Sequence, residues 1–406
     1  MHILFLSHYF PPEVNAPATR TYEHCKHWVE MGHSVTVICC VPNHPMGRVY
    51  PGFKNRLYQE EQVAGIKVIR LLTYVTPNSG LFKRTLNNCL YMLMSILVAP
   101  WIGKTDIVVS TSPQFFNGLA GYFVAAIKRT PWCLEIRDLY PESITALGAI
   151  KNKAVIKLLE GLERFVYRKA DHIVAVTYSF EQHIISKGAD PSAITVIRNG
   201  VNFDLFKLQK KNQQFAESLG LADKFVASYV GTHGMAHGLD VILEAAELCR
   251  EDTDLVFLMV GDGAEKQRLL AEKNSRSLDN LIMLDQQDKS KMPAIWSVSD
   301  LSLVLLKKKD LYLTVIPSKI FESMAMKKPI ILGVQGEAQA LIEEAQAGIC
   351  IIPQDARQLV DAVRHLQTER DDYQNCAEAG YRYAKTHFDR TILARQFEQI
   401  LRALIS

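Results

Sequence analysis

Residues 301–332 read LSLVLLKKKDLYLTVIPSKIFESMAMKKPIIL. The apolar run Leu301–Leu306 has strand length, and a second apolar run, Pro329–Leu332, follows after a polar loop and a helical segment. Two buried strands joined by a helix are a parallel crossover unit. The helix is expected to open at Pro317, because proline is tolerated in a first turn where its missing N–H would have no partner. The amides of Ser318 and Lys319 would then face outward at the end of the helix that attracts anions. Glu322 stands one turn further on. A phosphate site beside a hydroxyl-binding carboxylate is what a nucleotide sugar requires.

The same strand–helix alternation runs in both directions from this stretch. Expected strands are His2–Ser7, Ser34–Cys40, Lys67–Leu71, Ile107–Ser110, Trp132–Ile136, His172–Val176 and Thr195–Ile197. After a polar break at Lys207–Gln214 come Phe225–Val230, Leu255–Val260, Leu281–Leu284, Leu301–Leu306, Ile330–Leu332 and Gly348–Ile352. Continuous apolar strands separated by helices indicate parallel sheets covered on both faces. The expected fold class is α/β, with two Rossmann-like domains facing across a cleft. The domains are expected at 1–200 and 201–384, with a C-terminal helix at about 385–406 crossing back to the first.

Composition agrees. The 406 residues are 48% hydrophobic and 22% charged, long enough for two domains. Eight cysteines are scattered without a C-x-x-C pair or a His/Cys cluster at metal spacing, which points to reduced thiols and no structural zinc. Ile3–Leu6 is too short an apolar run for a secretory leader. The net charge of +3 is uneven: residues 1–200 carry 21 Lys+Arg against 14 Asp+Glu, the remainder 25 against 29. No Lys/Arg block is interleaved with aromatics, so no nucleic-acid partner is expected. A basic first half fits an anionic membrane or an anionic acceptor.

Two further loops carry glycine at a strand end. Gly231-Thr232-His233-Gly234 follows Phe225–Val230, and Gly261-Asp262-Gly263 follows Leu255–Val260. Glycines there allow a phosphate to approach the backbone. The turn after the first strand, His8 to Arg20, is Pro-rich and lacks G-x-G-x-x-G, so no dinucleotide fingerprint is present.

Four segments in this order resemble one family. The stretches SHYFPPE…ATR, VIRNGVNFDLF, MVGDGAEKQRL and PSKIFESMAMKKPII are similar to motifs of GT-B fold, nucleotide-sugar-dependent glycosyltransferases of family 4. Together with EIRDLYPES and YVGTHGMAHGLD they look most like bacterial O-antigen, capsule and exopolysaccharide enzymes, the N-acetyl-L-fucosaminyltransferase-like group in particular. Three departures stand out. Asn202 takes the place of an Asp, Thr314 takes the place of the first of two glutamates spaced as in Thr314…Glu322, and Thr232, His233 and His237 lie where an Arg and a Lys are expected.

The resemblance implies retaining sugar transfer from a UDP-sugar, such as UDP-L-FucNAc, without metal or cofactor. The acceptor would be a saccharide linked to undecaprenyl diphosphate. Lys319, Ser318 and the Gly231–Gly234 and Gly261–Gly263 loops are assigned to the diphosphate, Glu322 to the ribose and Thr314 to the altered sugar contact. Asp138, then Glu142, are the acidic candidates near the reacting sugar, with Lys319 stabilising the leaving group. His8, Glu13, Asn15 and Arg20 are placed on the acceptor side. A UDP-sugar epimerase of the same fold and a non-catalytic nucleotide-sugar-binding protein are the alternatives.

Residues 81–102 begin Leu-Phe-Lys-Arg and turn strongly apolar from Cys89, yet are too few to span a bilayer. They read either as a buried helix or as one dipping into a membrane. The cluster Lys151, Lys153, Lys157, Arg164, Arg168 and Lys169, within 151–169, extends the basic side. The expected location is cytoplasmic, peripheral to the inner membrane.

Overall fold

The computed structural model describes residues 1–44, 46–76, 81–146, 150 and 152–406, without the side chains of 81 and 146. Lys151 of the basic cluster lies outside the described residues. The chain divides into two compact units, Met1–Arg198 with Thr391–Ser406, and Asn199–Arg390.

The first unit is built on an eight-stranded sheet. Its strands are β1 (His2–Leu6), β2 (Ser34–Cys40), β3 (Tyr58–Val63), β4 (Ile66–Leu71), β5 (Ile107–Thr111), β6 (Trp132–Ile136), β7 (His172–Ala175) and β8 (Ile194–Val196). They lie in the order β3-β4-β2-β1-β5-β6-β7-β8. All pairs are parallel except β3 with β4. Alternate residues of β1 enter opposite cores: Leu4 and Leu6 meet Tyr91, Leu119 and Val166, whereas Ile3 and Phe5 meet Cys25, Trp28 and Phe397. The helices α1 (Ala16–Glu30), α2 (Leu81–Val98), α3 (Phe115–Lys128), α4 (Glu142–Ala146) and α5 (Lys153–Lys169) follow in chain order.

The last helix, Arg390–Ile405, belongs to this unit from Thr391 onward. Trp28 donates its indole N–H to the Ala394 carbonyl at 2.9 Å, and His33 meets Glu398 at 2.8 Å.

The second unit is an all-parallel six-stranded sheet of β9 (Phe225–Val230), β10 (Leu255–Val260), β11 (Leu281–Leu284), β12 (Leu301–Leu305), β13 (Ile330–Gly333) and β14 (Gly348–Cys350). The order is β11-β10-β9-β12-β13-β14. Each sheet has a switch point from which the chain order of the parallel strands runs outward in opposite directions, between β1 and β5 and between β9 and β12. Ligands of such sheets sit outside the carboxyl ends of the strands at these switch points.

One strand escapes the sequence reading. β3, YQEEQV, has no apolar run, because it is an edge strand with alternately exposed residues. Its connection to β4 is a two-residue turn, Ala64 and Gly65, both at positive φ (51° and 79°), which suits an antiparallel hairpin. Proline does not open the helix that contains Glu322. That helix runs Lys319–Ala325, and its first turn is tightened by bonds from Ile320 N–H to Pro317 O and from Phe321 N–H to Ser318 O. With seven residues it offers little dipole, so any anion attraction at this end falls to Lys319 itself.

Candidate functional site

In the second unit the switch point is flanked by the loop after β9 and by the segment after β12. Tyr229, the penultimate residue of β9, is buried and donates its hydroxyl to the Thr232 carbonyl at 2.8 Å. Lys319 lays its ammonium over the Tyr229 ring, 3.6 Å from the centroid. The residue as a whole is half-buried, but its Nζ is shut off from solvent and has no hydrogen-bond partner. Burial pulls its pKa down and Glu322 restores only part, leaving it at about 7. A buried ammonium that gives up three hydrogen bonds is costly. The ammonium is thus left with donor capacity that the fold itself does not use.

Glu322 sits between two lysines. Burial raises its carboxyl, while Lys289 and Lys319 pull it back. Lys289 was invisible in the sequence: nothing in Asp288-Lys289-Ser290-Lys291 marks it, and only the return from β11 brings it near. Thr314 is half-buried and donates to the Leu311 carbonyl at 3.4 Å. Ser318 is exposed and makes no side-chain cap.

The glycines divide by role. A Cβ on Gly231 (φ +146°) would come 3.1 Å from Lys319 Nζ, so this glycine makes room for the lysine. A Cβ on Gly261 would strike Gly231 O at 1.9 Å, and one on Gly263 would strike His233 O at 2.5 Å. Those two glycines serve the packing of one loop on the other, which corrects the expectation that they face a phosphate. The loops are also tied by Gly231 N–H to Val260 O and His233 N–H to Asp262 O. Gly234 meets only ordinary contacts with Thr232 and His237, and Thr232 is exposed.

His233 is buried with both ring nitrogens unpartnered. Burial, then Lys266 and Lys319, bring it down to about 4, so the ring is neutral. His237, desolvated beside Lys319, is also at about 4. These two histidines add no cation. Lys266, which the sequence reading passed over, is spent on the carbonyls of Leu284 (2.6 Å) and Gly261 (3.2 Å).

In the first unit most of the proposed acceptor residues turn out to hold the fold. Arg20 donates to Glu135 at 2.7 Å and to the carbonyls of Arg198 and Ile197 at 2.9 and 3.0 Å. Burial pushes the Glu135 carboxyl up, but Arg20, Arg137 and His24 outweigh it and hold it at about 2. Arg20 therefore anchors a strand, because its carboxylate partner lies inside β6. Asn15 caps α1, accepting from Ala18 N–H at 2.8 Å. Glu13 accepts from the amides of Asn43 and His44 at 2.9 and 2.8 Å and so braces the turn after β2. Glu142 is exposed and pairs with His183 at 3.0 Å. It does not join Asp138.

His8 and Asp138 do come together. They share the lining of a cavity of about 150 Å³ at the carboxyl ends of β1, β5 and β6. Burial raises Asp138 to about 6 against hydrogen bonds from Leu139 N–H and Ser143. His8 is buried against Tyr9 and Tyr91 and, desolvated beside His44, falls to about 3. Within this cavity Asp138 thus changes charge closer to neutral pH than a free carboxyl does. Among the described residues there is no cluster of three or more His, Cys, Asp or Glu side chains placed to hold a metal ion.

Comparison with known proteins gives this geometry its context. Residues 210–383 match the sequence model for "Glycosyl transferases group 1", and residues 15–200 match the "Glycosyl transferase 4-like domain". The chain is a glycosyltransferase. It is 25% identical over 408 residues to the putative colanic acid biosynthesis glycosyl transferase WcaI of Escherichia coli K12, covering 98% of each chain. In fold it matches Anabaena HepE, solved in complex with UDP, with a TM-score of 0.73 at 16% identity and full coverage of both chains. Sucrose-phosphate synthase of Thermosynechococcus elongatus matches with a TM-score of 0.79 at 17% identity, over 99% of this chain and 98% of that one. Both likenesses identify the two-domain GT-B fold of this glycosyltransferase.

Proposed function

We propose that this glycosyltransferase moves a sugar from a UDP-sugar to a lipid-linked saccharide, with Lys319 holding the departing diphosphate and Glu322 the ribose hydroxyls. The observation that carries the donor assignment is the desolvated, unpartnered Lys319 ammonium beside Gly231, one turn from Glu322, at the switch point of the second sheet. The UDP held by HepE in the same fold supports a uridine donor. An N-acetylated amino sugar such as L-FucNAc is the donor favoured by the motif likeness, and Thr314 replaces the carboxylate that would otherwise meet its hydroxyls.

No cofactor or metal is assigned a role. The acceptor hydroxyl oxygen bonds the donor's anomeric carbon, the bond to the UDP oxygen breaks, and the hydroxyl proton passes to the departing diphosphate with retention. A positive group aimed at charge that develops on the leaving oxygen contributes about 3–4 kcal/mol. Asp138 hydrogen-bonds the acceptor.

The acceptor's lipid implies a membrane. No helix among the described residues is long and apolar enough to cross one. On α2 and the turn that follows it, Phe82 and Trp101 are each 80% exposed, and Leu86, Leu93 and Leu97 are exposed along the same face. Leu158 of α5 is exposed as well, with Lys153, Lys157, Arg168 and Lys169 also open to solvent. An apolar face rimmed by cations suits the interface of an anionic bilayer.

Two experiments test the proposal. Titration with UDP should show binding in the wild type, and UDP release from a matching donor should require a lipid-linked acceptor. Interconversion of donor alone would make the protein an epimerase. Co-sedimentation with vesicles of 30% anionic lipid should exceed that with neutral vesicles and fall on Leu97→Glu/Trp101→Glu. Equal sedimentation of both proteins would remove the membrane face.

A further inference from the structure

Glu142 does not meet Asp138 directly, but a chain of side chains joins them. Asp138 lines two cavities. In the larger one its titratable neighbours are His8, Tyr9, His44, Arg84 and Tyr140. On the other side it shares with Tyr167 a small cavity of about 20 Å³, walled by Phe115, Leu134, Ile136 and Val166. Tyr167 is buried on α5, and its hydroxyl donates to Glu163, one helical turn earlier. Glu163 is itself only 1% exposed. A buried carboxylate needs partners, and Glu163 finds them on α6 (Tyr178–Ser186) and just beyond it. His183 Nε2 lies 3.1 Å from one carboxylate oxygen, and Lys187 Nζ lies 3.5 Å from the other. The second ring nitrogen of His183, Nδ1, lies 3.0 Å from Glu142 Oε2 at the start of α4. Ionised carboxylates only accept, so an imidazole satisfies both with hydrogen on each nitrogen. His183 thus links a surface carboxylate to a buried one and, with Lys187, balances their charges.

The consequence falls on Asp138. A phenol has one hydrogen, and Tyr167 gives its own to Glu163. Towards the cavity it shares with Asp138 it offers lone pairs alone. A wall that accepts but does not donate favours the protonated carboxyl. Burial acts in the same direction, raising Asp138 to about 6. The charges of Glu163, Glu142 and Asp138 all bear on the Tyr167 hydroxyl, so the four groups form one electrostatic unit. The loop that carries Asp138 is held as well. Ser112 Oγ accepts from the Asp138 amide at 3.2 Å, and Ser143, next to Glu142, donates to Asp138 Oδ2 at 3.5 Å.

We propose that His183 is a positioning residue for the reaction: acting through Glu163 and Tyr167, it sets the charge state in which Asp138 meets the acceptor hydroxyl. This rests on the acceptor-side role of Asp138 given above and adds to it a set of residues on α4, α5 and α6 that act from behind the site.

The test is titration of the Asp138 carboxyl carbon by NMR in the full-length protein without substrate, the signal being assigned with Asp138→Asn. Glu163→Gln removes a negative charge and loosens the claim on the Tyr167 hydrogen, so the midpoint should fall by about half a pH unit or more. His183→Gln leaves the two carboxylates less balanced, so the midpoint should rise by a similar amount. Glu142→Gln, at the surface, should lower it by less. If Glu163→Gln does not fold, Glu142→Gln and His183→Gln still carry the opposed signs. Shifts in one direction only, or lower melting temperatures with an unmoved midpoint, would make the network merely structural and overturn the assignment. The pH profile of kcat/KM should move with the NMR midpoint. A profile that stays while the midpoint moves would overturn the part played in transfer. Absence of transfer to any acceptor, with the midpoint still moving, would be a failure of the transferase reading and not of the network.

Discussion

Two buried cations of this enzyme have opposite situations. Arg20 lies in the first unit with every direction answered: a carboxylate at 2.7 Å and two carbonyls within 3.0 Å. Lys319 lies in the second with its ammonium on a tyrosine ring and no acceptor at all. The first is what a fold does with a charge it needs for itself. The second is what the proposed donor site would ask of a charge kept for a ligand. Burial alone does not separate the two. The presence or absence of partners does.

The comparison breaks most sharply at the closed pair. Removing one member of a buried ion pair costs about 3–5 kcal/mol, so Arg20→Met should lower the unfolding free energy from urea titration by that amount. Above pH 4.5 the depressed Glu135 carboxyl contributes its full share of stability, and this is lost as pH falls towards about 2. Arg20→Met should therefore flatten the acid limb of the stability profile.

Lys319→Met should do the reverse. Turnover and UDP affinity are expected to fall by about 10²-fold, equivalent to loss of one electrostatic contact to the leaving group. The unliganded protein should nevertheless melt at a higher temperature. A lysine whose pKa is lowered in the fold costs stability at every pH below its unfolded value, so the gain should be full below pH 7 and vanish towards pH 10.5. A lower melting temperature would show that Lys319 holds structure and would dissolve the contrast.

A smaller effect sharpens the same point. Between pH 7.5 and 9 the affinity for UDP should drop by up to about tenfold per unit as the ammonium loses its proton. Lys319→Arg should abolish this slope in the titration. The smallest expected effect belongs to Asn15→Ala. Losing an N-cap costs about 1 kcal/mol, and KM for either substrate should not change.

The same contrast explains how far the sequence could be read. Strands β9 to β14 and most of β1 to β8 are continuous apolar runs because both faces of each sheet are covered, and such runs are visible without a structure. β3 is not, since an edge strand alternates polar residues and takes its pairing from the hairpin. The proximity of Lys319 to Glu322 was legible because one short segment carries both at helical spacing. The role of Arg20 was not, because Glu135 stands 115 positions away and only the sheet order brings them together. Gly261 and Gly263 were read as phosphate loops for a similar reason: glycine reports a close approach but not of what, and here the neighbour is the backbone of the other loop.

The connectivity of the chain has a consequence for its synthesis. The second unit is inserted within the first, whose final helix is made last. Phe397 and Leu401 fill the core beside Phe5 and Trp28, and Trp28 has its hydrogen-bond partner at Ala394. While the ribosome works through residues 199–390, that face of the first sheet is covered by α1 without the residues Phe397 and Leu401 that complete its core. A nascent enzyme therefore passes through a stage in which its inserted unit is complete and its older unit is still waiting, and chains released before residue 391 would present the gap left beside Trp28 to chaperones and proteases.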